Sequence, residues 1–157
     1  MNSASTKFIA VCFLFVIALA AFTSKYRIDF LSSESLPYRM ALTDIHQRSF
    51  QVGELVKFKV PDDNKWAAGR KLTKIVRGLP GDVVSVKDRN IYINDELVGR
   101  AKELTYFGEP LFPIEPTTIP DGYFFAFGTH PDSYDSRYFS MGLINETNIL
   151  GGSIPLF

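Results

Sequence analysis

The sequence predicts a mostly β protein, a curled antiparallel sheet of barrel-like form with one N-terminal transmembrane helix. Three observations carry that reading. Alternating apolar and polar residues recur in short runs, Gly, Pro, Asn and Asp cluster between those runs, and a long apolar block occupies the start of the chain.

The apolar block comes first. Phe8 to Phe22 are 15 consecutive apolar residues, and Thr23 and Ser24 extend them to 17, the short end of the roughly 17 to 25 that cross a bilayer as a helix. A cleaved secretory signal competes with a retained anchor, because Lys7 precedes the run and Ala18-Leu19-Ala20 offers small residues for cleavage. Either way the rest of the chain is delivered to a membrane. This divides the protein into a segment 1–25 and a domain 26–157. Cys12 lies inside the run and reads as an ordinary buried residue, since Val11 is too bulky for a lipid-attachment box.

Val56, Phe58 and Val60 share one face and Lys57 and Lys59 the other, as a half-buried strand requires. Leu72 to Val76, Val83 to Val86, Ile91 to Ile93 and Tyr123 to Phe127 repeat the habit, parted by Gly78-Leu79-Pro80-Gly81-Asp82, Asp88-Arg89-Asn90 and Asn94-Asp95. Residues 99–121, rich in Pro and Glu, read as one long surface connection. Asn145-Glu146-Thr147 matches a glycosylation acceptor, a three-residue pattern that arises easily by chance.

Charge excludes several functions. With 17 Lys and Arg against 17 Asp and Glu there is no basic excess for nucleic acid, and residues 26–157 carry a net −2. One Cys and two His neither frame a disulfide scaffold nor suggest a structural zinc site, so no metal and no cofactor is expected.

One lysine breaks the pattern. Period two places Lys74 with Leu72 and Val76 on an apolar face. Burial there lowers a lysine pKa toward neutrality and makes the amine a general base, whereas a lysine at a sheet margin snorkels and keeps its charge; periodicity alone leaves both readings open. A base needs a nucleophile, and Ser32-Ser33-Glu34-Ser35-Leu36-Pro37 follows the apolar block.

Ser35-Leu36-Pro37, Lys74-Ile75-Val76-Arg77-Gly78-Leu79-Pro80-Gly81-Asp82 and Ser133-Tyr134-Asp135-Ser136-Arg137-Tyr138-Phe139 together resemble, in order and approximate spacing, the type I signal peptidases of family S26. The short Ser-X-Pro form, the size and the ending Gly151-Gly152-Ser153-Ile154-Pro155-Leu156-Phe157 look most like the conjugative-transfer, TraF-type branch. The resemblance implies a signal peptidase catalytic core with a Ser-Lys dyad: Ser35 as nucleophile, Lys74 as general base, Ser33 as an oxyanion donor, Ser133 holding the lysine amine, and Asp135 with Arg137 supporting that wall. It also implies a bacterial inner-membrane enzyme facing the periplasm. Its partners would be membrane lipid, precursors with pilin-like leader peptides and a conjugative transfer apparatus. The chain departs from the pattern at Arg39, Thr129 and Ser140, and Arg39 and Ser140 bear on loop geometry and substrate preference.

Three rivals stand beside this. A Ser-His-Asp hydrolase would use His46 or His130, the latter close in sequence to Asp132 and Asp135, but no Gly-X-Ser-X-Gly elbow accompanies them. A self-cleaving Ser-Lys protein would carry a DNA-binding segment where this chain has an apolar one. A non-catalytic, membrane-tethered β-domain that scaffolds a pilus or secretion apparatus would need neither Ser35 nor Lys74.

Overall fold

The computed structural model describes residues 3–31 and 34–157. The apolar block holds no Gly or Pro to break a helix. It forms α1 (Ser3–Lys25), 23 residues and about 35 Å long. Its stretch Lys7–Lys25 is long and apolar enough to cross a membrane, and none of that stretch is buried against the rest of the chain. β1 (Tyr26–Phe30) follows with no intervening residue, so the helix leads directly into a sheet.

That sheet has seven antiparallel strands. β1 pairs with β2 (Met40–Asp44), and β11 (Ile149–Pro155) lies between β2 and β3 (Leu55–Lys59). β4 (Lys71–Gly78), β9 (Tyr123–Phe127) and β10 (Ile144–Asn145) complete the order β1-β2-β11-β3-β4-β9-β10. A second sheet runs β7 (Glu96–Arg100), β6 (Asn90–Ile93), β5 (Val83–Lys87) and β8 (Thr117–Thr118). The mostly antiparallel β fold is as the sequence indicated, but the barrel-like closure is not: β1 and β10 are free edges, and the chain makes two open sheets instead of one closed one.

The Gly78-to-Asp82 segment causes the split. Gly78 is buried so tightly that a Cβ there would come 2.7 Å from Ile119 Cδ1. Gly81 takes φ +91, and Asp82 Oδ2 accepts from the Leu79 N–H at 2.8 Å, so the chain turns out of β4 into the second sheet. β9 then serves both sheets. Phe124 and Ala126 pack into the core with Val56, Phe58 and Val76, while Phe125 and Phe127 enter the core with Val84, Ile91 and Ile119. A strand buried on both faces reads as the continuous apolar run found here.

The expected surface connection 99–121 is also corrected. Ala101, Leu111, Ile114 and Ile119 are buried and close the second core, and bridges Leu104↔Pro110 and Pro113↔Tyr138 shape the excursion. Its buried apolar residues are spaced irregularly among Pro and Glu, so no period announces them. Asn145 acts locally, because its side-chain oxygen accepts from the Thr147 N–H at 2.8 Å and caps the 3₁₀ turn Glu146–Asn148.

Candidate active site

β4 lies inside the larger sheet, flanked by β3 and β9, and Lys74 stands directly opposite Val56. Residues paired across antiparallel strands point to the same side, so the lysine emerges among the apolar side chains that line that side. It is 2% exposed. Snorkelling is thereby excluded. Burial is the largest influence on the amine; it lowers the pKa from 10.5 to about 8, with Arg137 and Arg70 adding to the fall and Asp135 opposing it. At pH 7 roughly a tenth of such an amine is neutral.

Lys74 Nζ donates to Ser133 Oγ at 2.7 Å. Ser133 is buried, so the contact is shielded from water. Ser35 is buried as well, in the turn that follows residue 33, and its carbonyl oxygen accepts from the His130 N–H at 3.3 Å and from Thr129 Oγ1 at 3.4 Å. The serine turn and the 128–133 loop are thus fastened together. Gly128 is the point of closest approach, because a Cβ there would lie 2.7 Å from Ser133 Cβ and 2.9 Å from the Ser35 carbonyl oxygen. Three segments far apart in sequence, at Ser35, Lys74 and Ser133, therefore converge.

A buried ion pair holds the loop. Asp135 Oδ1 accepts from the Arg137 N–H and Nε at 3.1 and 2.9 Å, and Oδ2 from Arg137 Nη2 and the Gly128 N–H, both at 2.8 Å. All four carboxylate acceptor sites are filled. Arg137 Nη2 also reaches the carbonyls of Gly128, His130 and Ser133 at 3.1 to 3.3 Å, and the guanidinium lies 4.8 Å from the Phe127 ring centroid. Asp135 is 0% exposed and the residue Arg137 2%, so an ordinary surface salt bridge is ruled out. Ser136 ties the same segment to β9, its Oγ accepting from the Ala126 N–H at 3.1 Å.

Of the residues singled out by sequence, Ser35, Lys74, Ser133, Asp135 and Arg137 come together. Ser33 lies outside the described residues. Gly128, Ser136 and the His130 backbone were missed as site elements, and Thr129 stood out only as a departure from the family pattern. The histidine alternative does not assemble: His130 Nδ1 accepts from the Asp132 N–H at 3.1 Å, while the Asp132 and Asp135 carboxylates are engaged by Lys102 and Arg137. His46 is exposed and its Nε2 lies 3.2 Å from the Ser24 carbonyl. Among the described residues no group of His, Cys, Asp and Glu could hold a metal ion.

The pattern that defines the family described as "Signal peptidase, peptidase S26" matches residues 1–157. The conjugal transfer protein TraF of Agrobacterium tumefaciens is 27% identical over 165 residues, covering 94% of this chain and 91% of its own. A probable signal peptidase I-2 of Synechocystis is 29% identical over 131 residues, with 82% of this chain and 55% of the relative covered, so the chain spans about half of that protein. A solved signal peptidase I from Enterococcus faecalis aligns with a TM-score of 0.43 at 26% identity over 66% of this chain and 96% of its own.

Proposed function

This chain belongs to the S26 family of signal peptidases, and from that premise we propose that it is a membrane-bound serine endopeptidase working through a Ser35-Lys74 dyad. Membership supports a leader-peptidase role. The finer assignment has exported precursors as substrates, pilin-like or other conjugative-transfer proteins, and residues 1–25 as the anchor of a periplasmic domain 26–157. The observation that carries the dyad is the buried Lys74 amine, held near pKa 8 and hydrogen-bonded to Ser133 beside the Ser35 turn. A scaffold does not require that arrangement, because burying an ammonium costs stability that the hydrogen bond to Ser133 returns only in part.

In the mechanism, neutral Lys74 Nζ takes the Ser35 hydroxyl proton as Oγ attacks the scissile carbonyl. The resulting ammonium gives that proton to the leaving amine, and the peptide bond breaks to an acyl-enzyme. Lys74, neutral again, then takes a proton from water, whose oxygen attacks the ester and returns Ser35. Ser133, accepting from the amine, keeps it aimed. Ser33 and the Ser35 N–H are the assigned oxyanion donors, a contribution worth about 10² to 10³ in rate in other serine peptidases.

The anchor suits the substrate. The ten residues from Lys25 to Ser35 span at most about 33 to 36 Å when extended, which keeps the nucleophile near the bilayer and within reach of cuts just outside an inserted leader. The test is co-expression with a leader-bearing pilin precursor. Release of the mature form should require both Ser35 and Lys74, and folded Ser35→Ala and Lys74→Ala proteins that still release it would defeat the proposal.

A further inference from the structure

Two cavities share Arg70 in their lining, and the smaller reaches the Ser35 turn through Leu36. The smaller, about 90 Å³, is bordered by Leu36 and Thr73, the sequence neighbours of Ser35 and Lys74, and by Asp29, Lys57, Arg70 and Lys71. The larger, about 630 Å³, has an aromatic lining that includes Trp66, Tyr106 and Tyr138, together with Arg70, Lys102 and Asp132.

Four cations therefore face two carboxylates, a local +2 on a domain of net charge −2. Both carboxylates are already committed. Asp29 is paired with Lys57 and accepts from Thr43 Oγ1 at 2.5 Å, and Asp132 is paired with Lys102. Arg70 and Lys71 are exposed, and neither has an ion-pair partner among the described residues. The uncompensated charge of the two cavities is thus these two neighbours at the start of β4.

We propose that Arg70 and Lys71 are specificity-determining residues that select precursors carrying an Asp or Glu about four residues from the scissile bond, an inference that rests on the peptidase reading. The spacing follows from β4 itself. Arg70 precedes Lys74 by four residues, about 13 Å of extended chain, and a substrate stretched alongside β4 keeps the same rise per residue. The carboxylate of such a precursor meets a positive field on arrival.

The test uses the full chain in nanodiscs with fluorogenic peptides identical except for Asp, Asn or Lys at the fourth residue on either side of the cut. At one of the two positions, kcat/KM for the Asp peptide should exceed that for the Asn peptide by about three- to ten-fold, an advantage that shrinks as salt screens it. Arg70→Gln with Lys71→Gln should erase the preference. Arg70→Glu with Lys71→Glu should invert it in favour of the Lys peptide. Fluorescence anisotropy with Ser35→Ala should give the same order in Kd, which reads the selection without turnover. Equal rates and equal Kd for the three peptides at both positions would overturn the proposal, as would an acid preference that survives charge reversal in a folded protein. An acid preference in binding with no peptide cleaved by the unaltered enzyme would uphold the selection and defeat the peptidase reading alone.

Discussion

Replacing Lys74 with Met should make the protein more stable at neutral pH while destroying its activity. The lysine amine is lowered from 10.5 to about 8, and each unit corresponds to about 1.4 kcal/mol, so holding the ammonium buried at pH 7 costs the fold about 3 kcal/mol. Met keeps the length and apolar stem. It loses the hydrogen bond to Ser133 and leaves that buried hydroxyl short of a donor, a penalty of about 1 to 2 kcal/mol. The net is about 1 to 2 kcal/mol in favour of the variant, a melting temperature higher by about 3 to 6 °C for a chain of this size. The pH dependence fixes the cause. Between pH 8 and 10.5 the unfolded chain holds a proton that the folded lysine has released, so wild-type stability climbs through that window; the cost is complete below about 8 and gone above 10.5. Thermal melts in detergent micelles at pH 7 and pH 10 should therefore show the variant's advantage shrinking and then reversing. A difference that is the same at both pH values would refute the reasoning, whatever its sign.

Peptide cleavage by the unaltered enzyme should rise with pH through about 8, as the lysine becomes neutral, and a flat profile from pH 6 to 9 under conditions where chemistry limits the rate would contradict the assignment of Lys74 as base. Ser133→Ala should lower kcat by about ten- to a hundred-fold with KM little changed, because the amine loses the partner that aims it; steady-state kinetics on a folded variant decide this. Arg137→Met should destabilise by about 3 to 5 kcal/mol, leaving the Asp135 carboxylate buried and unpaired, and urea titration should show Arg137→Lys recovering only part of it, since an ammonium cannot reproduce the two-pronged contact.

The site was legible where chemistry violated a local rule. Lys74 shares a face with Leu72 and Val76, and that mismatch is visible in seven residues of sequence; its burial is the structural counterpart. β3, β4, β5, β6 and β9 were legible for the related reason that each obeys a period or forms a dense apolar run. β11 was not. Gly151, Gly152 and Pro155 depress its strand character, yet the two glycines are what its place between β2 and β3 demands: a Cβ on Gly151 would lie 2.9 Å from Thr43 Cγ2, and one on Gly152 would strike the Gln47 side chain. Nothing local in the sequence announces a clash with a segment a hundred residues away. The same distance hid the openness of the sheets, since closure depends on whether β1 and β10 meet, and short strands look alike whether or not they do.

The buried pair beside the site bears on the proposed role of Lys74 as a base. A carboxylate facing Lys74 alone would hold it as an ammonium, and Asp135 does oppose the fall in pKa. Arg137 answers this twice, by occupying the carboxylate through Nε and Nη2 and by placing its own positive charge where it disfavours a second one on the lysine. The arginine is also what gathers the Gly128, His130 and Ser133 carbonyls, and so sets the loop that carries the Ser133 hydroxyl to the amine and meets the Ser35 turn. Arg137 thus contributes both to the electrostatic tuning, beside burial and Arg70, and to the loop shape. That dual role gives the Asp-Ser-Arg block a reason to stand beside the proposed lysine base although neither Asp135 nor Arg137 is assigned a proton to carry.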